Sequence, residues 1–581
     1  MRQALEQTFT SFDGTPIFYR HWPGAPGSRR GILLFHRGHE HSGRLQHLVD
    51  ELDLDDCALF AWDARGHGRN AGERGYSPSI GTSIKDMDAF ARHVCGTYGL
   101  ESGDLVVIAQ SVGAVLAAAW VHDYAPRIRG LVLASPAFKV KLYVPFARPG
   151  LRLLHALRGK FFVNSYVKAR FLTHDPDRIA SYNADPLITR PIAVNILLGL
   201  YDTAERLVAD AGAIQTPTQL LISGADWVVH QQPQHQFFER LGAPVKEKHV
   251  LAGFYHDTLG EKDRHLALTK VRAFVDRVYG APLAYPSLLD ADRGGYTKDE
   301  FDALSAPVPS GSPKGWWFAL ARANLATLGR LSDGVRLGLA TGFDSGSTLD
   351  YVYRNQASGK TLLGRLLDRL YLNAIGWRGI RVRKQHLERA LRDTVAQLAQ
   401  AKRPVRLVDV AAGHGRYVLE ALHGLREQVE SIRLRDFSDI NVQAGRRLIA
   451  ALGLETVASF DQGDAFDQSA LAGLTPRPTL AVVSGLYELF PDNALIRASL
   501  AGLAEAVEPE GYLIYTNQPW HPQVELIARV LTSHRGHQPW VMRRRTQAEM
   551  DQLVAAAGFT KIDQFTDDWG IFTVAVARRQ A

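Results

Sequence analysis

Three residues in the first half of the chain have the types and the order needed to activate a hydroxyl group. Ser111 lies in Ala109-Gln110-Ser111-Val112-Gly113-Ala114, after an apolar run and before an apolar helical pattern. Asp226 follows in Gly224-Ala225-Asp226, and His256 in Gly253-Phe254-Tyr255-His256. A serine hydroxyl is a poor nucleophile until a base takes its proton and a third group orients that base. A strained strand–turn–helix would expose Ser111, and the small residues at 109, 113 and 114 would let the helix pack closely. Singly, Asp226 is as readily a helix cap and His256 a loop residue. Their joint occurrence in this order carries the reading.

A second set of unrelated type lies near the other end. Val408-Asp409-Val410-Ala411-Ala412-Gly413-His414-Gly415 gives an apolar run, an acid and a glycine turn. Small residues at 411, 413 and 415 let backbone approach a cofactor, and Asp409 is expected to face its cationic end. Such a turn serves a dinucleotide as well as S-adenosylmethionine (SAM). Asp436, at the end of the next apolar run, suits a ribose hydroxyl in either cofactor. Asp464, followed by Ala465 and Phe466, offers an acceptor for an adenine amino group and favours SAM. Methyl transfer from a sulfonium needs positioning more than acid–base groups. Acceptor groups are expected after the fourth and fifth strands, where Tyr487, Glu488, Trp520 and His521 stand. Glu488 or His521 would serve as base for a hydroxyl acceptor, and Tyr487 and Trp520 read equally as packing residues. No metal-ligand set is read from the chain.

Elements that could hold these residues are legible in the pattern. Apolar runs at Gly31–His36, Cys57–Trp62, Leu105–Gln110, Gly130–Ala134, Thr218–Ser223 and Lys246–Val250 alternate with helical stretches, which predicts an α/β fold with strands covered on both faces. Helical patterning at about 136–213 interrupts the rhythm as an inserted cap. Pro and Gly punctuate 281 to about 315, and 281–330 is read as a linker, with helical segments expected around Gly315–Leu331 and Leu362–Ala401. The βα rhythm restarts at Arg406. The expected domains are therefore 1–280, a linker, and 331–581 with a helical cap at its own N-terminal side.

At 581 residues the chain is too long for one core. Only Cys57 and Cys95 are present, which excludes a disulfide framework and fits a reducing, cytoplasmic setting. No secretory signal pattern or membrane span is read. The net charge of +7 invites a nucleic-acid reading, but no recognition module is visible. The charge gathers between Phe138 and Phe171, where eight Lys or Arg residues and no acid alternate with Leu142, Tyr143, Phe146, Leu153, Leu157 and others. That mixture suits an anionic membrane surface, such as the inner face of a cell membrane.

With these residues in hand, residues 10–275 resemble the monoacylglycerol lipase and lysophospholipase branch of the α/β-hydrolases, the serine aminopeptidase S33 group. His36-Arg37-Gly38-His39-Glu40-His41-Ser42-Gly43-Arg44 is similar to its HGxxEHSGR loop, and Asp63-Ala64-Arg65-Gly66-His67-Gly68 to its DxRGHG turn. The resemblance implies a Ser111–His256–Asp226 triad, with the N–H groups of Gly38 and Val112 holding an oxyanion. Arg37 replaces a family Gly, and Gln110 replaces a His. Residues 335–581 resemble a Rossmann-like class I SAM-dependent methyltransferase. The whole is similar to fused bacterial hydrolase–methyltransferases. It implies cleavage of a lipid-like acyl ester together with methylation of a small or lipid-related acceptor. Two alternatives stand beside it: an esterase or thioesterase for a small soluble substrate, and an active methyltransferase with a hydrolase unit used only for binding.

Overall fold

The computed structural model describes residues 2–141, 146–165, 167–283 and 285–580. It divides into two compact units, Met1–Pro286 and Ser287–Ala581.

The first unit is an α/β sandwich around one sheet. Its strands are β1 (Leu5–Thr10), β2 (Pro16–Trp22), β3 (Gly31–Phe35), β4 (Ala58–Trp62), β5 (Leu105–Gln110), β6 (Gly130–Ala134), β9 (Thr218–Ser223) and β10 (Lys246–Leu251), with a small separate hairpin of β7 (Phe162–Asn164) and β8 (Pro191–Ala193). The order across the sheet is β1-β2-β4-β3-β5-β6-β9-β10. Only β1 and β2 run antiparallel to their neighbours. Every residue of β3, β5, β6 and β9 is buried, as continuous apolar runs demand when helices cover both faces. The helix Val112–Tyr124 is apolar on nearly every side, and all but its first residue are buried.

The expected cap is present between the paired strands β6 and β9, as helices Ala147–Arg158, Pro176–Ala184 and Val194–Ala209. A buried polar cluster fastens it. His122, on the central helix, contacts Asp210 at 2.7 Å, and Arg206 donates to Asp123 at 2.9 Å. Leu142 and Tyr143 of the basic, apolar segment lie outside the described residues.

The second unit has a seven-stranded sheet in the order β13-β12-β11-β14-β15-β17-β16. The strands are β11 (Arg406–Asp409), β12 (Ser431–Asp436), β13 (Ala458–Gln462), β14 (Leu480–Val483), β15 (Tyr512–Asn517), β16 (Phe559–Thr566) and β17 (Thr573–Arg579). All pairings are parallel except those of β17, which closes the sheet as an antiparallel hairpin with β16.

The segment 281–330 corrects the expected linker. From Ser287 it belongs to the second unit, and Tyr296–Ser305 and Pro313–Ala326 are helices. The helix expected from Gly315 begins at Pro313: Ser312 accepts from the Gly315 amide while Pro313 takes the first helical position. Ser332, Ser345 and Thr361 cap further short helices in the same manner. The long helix Ile375–Gln400 then leads into β11.

Candidate functional sites

Ser111 stands where β5 turns into the helix Val112–Tyr124, with φ +56° and ψ −116°. This is a strained backbone for a residue with a side chain, costing on the order of 1–3 kcal/mol. It is held because Gly113 lets the helix approach β3; a Cβ there would overlap the His36 carbonyl. The structure brings the three expected residues together. Ser111 Oγ lies 2.7 Å from His256 Nε2, and His256 Nδ1 lies 2.8 Å from Asp226 Oδ2. The network assigns the Nδ1 proton to the Asp226 contact and leaves Nε2 to accept from the serine.

Asp226 Oδ1 accepts from the amides of Val228 and Val229 at 2.7 and 2.9 Å. Burial opposes its charge, yet His256 and these amides hold its carboxyl below the usual range. Asp226 therefore stays anionic, as a group that fixes and stabilises a protonated imidazole must.

Gly38 and Val112 both line the cavity at Ser111. They are neighbours, since a Cβ on Gly38 would sit 3.1 Å from Val112 Cγ2. Val112 is the first residue of its helix, so its amide has no intrahelical acceptor. The 36–44 loop is clamped by Asp63 of the DxRGHG turn, which accepts from the Ser42 amide at 2.7 Å and the Arg69 amide at 2.8 Å.

Both departures from the family pattern have partners. Arg37 is buried and makes two 2.8 Å bonds to Glu40, with Asp257 3.6 Å away. Gln110 donates to the His256 carbonyl at 3.2 Å and to Asp257 at 3.1 Å. Asp257 also takes Arg178 at 3.0 Å, and these cations hold its carboxyl far below the usual range despite burial. Sequence reasoning missed Asp257; its only signal was its place next to His256.

The Ser111 cavity measures about 210 Å³ and is walled by apolar groups including Leu151, Val163, Leu172, Leu200 and Val229. Tyr201 also lines it, and its buried hydroxyl has no hydrogen-bond partner among the described residues.

In the second unit a cavity of about 780 Å³ opens at the ends of β11, β12 and β14. Ala411, Gly413, Gly415, Asp436, Asp464 and Ala465 all line it. Gly415 has φ +73°, and a Cβ there would overlap Leu434; only glycine fits without displacing that core residue. Asp436 Oδ2 accepts from the Gly413 amide at 2.9 Å, while Oδ1 accepts from Ser438 and Asn441 at 2.9 and 3.0 Å. Of a carboxylate's roughly four acceptor positions, one on Oδ2 is left for a ligand. Asp464 is tied to the Phe466 amide at 2.8 Å.

Asp409 does not face this cavity, contrary to expectation. It is fully buried, accepting from the Tyr417 hydroxyl and, at 3.2 Å, from the Ala411 amide. Burial, with the Asp436 charge adding to it, pushes its carboxyl up to about 7. Its role is to brace the turn from behind.

The acceptor expectations divide. Glu488 and His521 line a smaller chamber of about 90 Å³. Tyr487 is buried away from it, with its hydroxyl 3.0 Å from Ser499 and its carbonyl accepting from Arg545. Trp520 packs, half-buried, against an apolar cluster around Trp377 and Phe572. Arg383 was not foreseen. It is buried in the walls of both cavities, 3.2 Å from Glu488 Oε1 and stacked 4.9 Å from the Phe572 ring.

Comparison with known proteins agrees with this division. Residues 27–263 match the family model described as "Serine aminopeptidase, S33", and residues 271–579 match the one described as "Putative methyltransferase". A protein of Escherichia coli (strain K12), "Uncharacterized protein YnbC", is 58% identical over 577 residues, covering 99% of this chain and 98% of its own. The "Monoacylglycerol lipase" of Mycolicibacterium smegmatis is 23% identical over 279 residues, 46% of this chain and 96% of the relative. The human "Monoglyceride lipase" is 24% identical over 254 residues, 42% of this chain and 80% of the relative. The chain belongs to the methyltransferase family matched by its second unit, and its first unit has an α/β-hydrolase fold and matches the S33 model.

Proposed function

We propose that the protein is a bifunctional enzyme, a serine hydrolase for a lipid-like acyl ester joined to a SAM-dependent methyltransferase. The observation that carries the first activity is the Ser111–His256–Asp226 hydrogen-bond chain at the floor of an apolar cavity. As Ser111 Oγ attacks the ester carbonyl, its proton passes to His256 Nε2, and the amides of Gly38 and Val112 stabilise the oxyanion. His256 then gives that proton to the leaving alcohol. Water, deprotonated by the same nitrogen, releases the acid and restores Ser111. The apolar walls favour an acyl chain over a small soluble ester, and the buried Tyr201 hydroxyl is placed to meet a polar atom of the substrate.

For the second activity, the 411–415 turn, Asp436 and Asp464 form a cradle that fits SAM. Asp436 would accept from ribose hydroxyls and Asp464 from the adenine amino group. SAM bound there would supply an electrophilic methyl group, which leaves the protein to bind, orient and exclude water.

The apolar part of the cap supports a peripheral membrane contact more than its charge does. Arg148 and Arg152 are engaged by Asp202, and Lys160 by Glu73. Phe146 is 87% exposed and Leu157 77%, with Leu153 exposed beside them. Among the described residues no helix is long and apolar enough to cross a membrane.

Calorimetric titration with SAM and with NAD, together with ester turnover by Ser111→Ala, tests the assignment. Heat with SAM only and loss of turnover are expected. Heat only with NAD, or turnover unchanged in Ser111→Ala, contradicts it; the latter would favour a hydrolase unit used for binding alone.

A further inference from the structure

The small chamber of the second unit shares Asp344, Leu349, Arg383, Gly485 and Leu489 with the larger cavity, so the two adjoin. Its other walls are mostly apolar, with Trp377, Ile380, Leu531, Trp540, Met542 and Phe572 among them. Its polar lining is Asp344, Arg383, Glu488, Gln518, His521 and Gln523, together with the indole N–H of Trp540, a buried donor with no partner among the described residues.

Glu488 is 5% exposed. Its Oε1 receives Arg383 at 3.2 Å, while its Oε2 is buried and has no hydrogen-bond partner among the described residues. An unpaired carboxylate oxygen in an apolar enclosure costs free energy that a ligand donor would recover. The Arg383–Glu488 pair is already balanced in charge. A charged ligand group would upset that balance in a poorly solvated space. Burial raises the Glu488 carboxyl, with Arg383 opposing, which suits an oxygen that accepts strongly.

His521 is the complementary group. Its Nδ1 accepts from the Gln523 amide at 3.0 Å, so the neutral ring carries its proton on Nε2. Burial depresses this imidazole to about 4 and keeps it neutral. Gly376 makes room for Nε2, because a Cβ at that position would come within 2.9 Å of it. His521 is therefore a donor at the chamber wall, not a base, and this separates two residues the sequence left equivalent.

We propose that this chamber takes an uncharged, apolar group ending in a hydroxyl, which donates to Glu488 Oε2 and accepts from His521 Nε2–H. The proposal rests on the methyltransferase reading and names the class of its acceptor. It carries a consequence for release. A methylated hydroxyl has lost its only donor and leaves Oε2 unpaired, so the chamber holds the free alcohol more tightly than its methyl ether.

The test uses the full chain with emission from Trp377 and Trp540 as readout, titrated with cyclohexanol, methoxycyclohexane and cyclohexanecarboxylate. The alcohol is expected to bind at least about tenfold more tightly than the ether, as a hydrogen bond to a charged acceptor implies. In Glu488→Gln the amide oxygen must take Arg383, which turns the –NH₂ into the chamber. The preference should then fall below about threefold, because that group cannot accept a hydroxyl proton. Should this variant fail to fold, Gly376→Ala, which crowds His521 Nε2, is expected to weaken the alcohol. Equal binding of alcohol and ether, tightest binding by the carboxylate, survival of the preference in Glu488→Gln, or no emission change with any probe would each overturn the proposal. Calorimetry with S-adenosylhomocysteine is run alongside. No heat there, with the alcohol preference intact, would fail the methyltransferase reading and leave the chamber's selectivity standing.

Discussion

The two candidate sites are built on opposite principles. In the first unit the reactive groups are in mutual contact, Oγ to Nε2 at 2.7 Å and Nδ1 to Oδ2 at 2.8 Å, around a cavity of about 210 Å³. In the second unit the cavity is far larger, about 780 Å³, and its Asp436 and Asp464 are engaged mainly by backbone amides. Activating a serine requires the protein itself to move a proton, so three side chains must touch. Using a preactivated cofactor requires only a shaped cradle, so the turn geometry carries the signal. The contrast sets where each unit is fragile: at single atoms in the first, and at backbone shape in the second.

Crossed variants probe the contrast with the largest expected effect. Ser111→Ala should lower ester turnover by at least about a thousandfold while leaving SAM heat unchanged. Asp436→Asn should weaken SAM by roughly ten- to a hundredfold and leave turnover alone. If either variant impaired both activities, the two sites would not be separate.

A smaller effect follows from the opposite electrostatics of two buried carboxyls. Asp409 is raised from 3.8 to about 7, so between those values the folded second unit binds more protons than the unfolded chain. Its stability should fall as pH rises through that window, by at most about 4 kcal/mol. Thermal melts of Asp409→Asn should lack this slope. Asp226 is depressed, so its contribution is present above its unfolded value and lost as pH falls through the lower folded one. A second-unit transition that strengthens with rising pH would contradict the assignment.

The smallest effect separates positioning from chemistry in the first unit. Gln110 holds the His256 loop through a carbonyl and Asp257. Gln110→Ala should cut kcat by roughly tenfold with little change in KM. A change in KM alone would make Gln110 a substrate contact instead.

The same contrast explains what was legible in the sequence. The three triad residues were readable because activating a hydroxyl fixes residue types and order, and the two loops were readable through their resemblance to family motifs. The glycine turn, Asp436 and Asp464 were legible as one cluster because glycines and acids recur at strand ends, and the structure brings them to one cavity. Asp409 was misplaced because a strand buried on both faces gives no periodic sign of which way its last side chain points. Its partner Tyr417 lies in the following helix. Of the two readings of Tyr487 the packing one holds, since the short turn Tyr487–Leu489 sends it toward Ser499 and sends Glu488 to the chamber. Arg383 was invisible because it reaches the site from the middle of a 26-residue helix. Within 281–330 the helix Tyr296–Ser305 was hidden among prolines and glycines, whereas the helical patterning from Gly315 was legible.

One measurement bears on the central claim most directly. The full chain, Ser111→Ala and Asp436→Asn are each incubated with a lipid extract and methyl-labelled SAM, and the products are resolved by mass. The account predicts that the unaltered chain releases acyl groups and transfers label. It also predicts that Ser111→Ala loses the release and Asp436→Asn loses the transfer. Acyl release that survives in Ser111→Ala, or no labelled product from the unaltered chain, would contradict it.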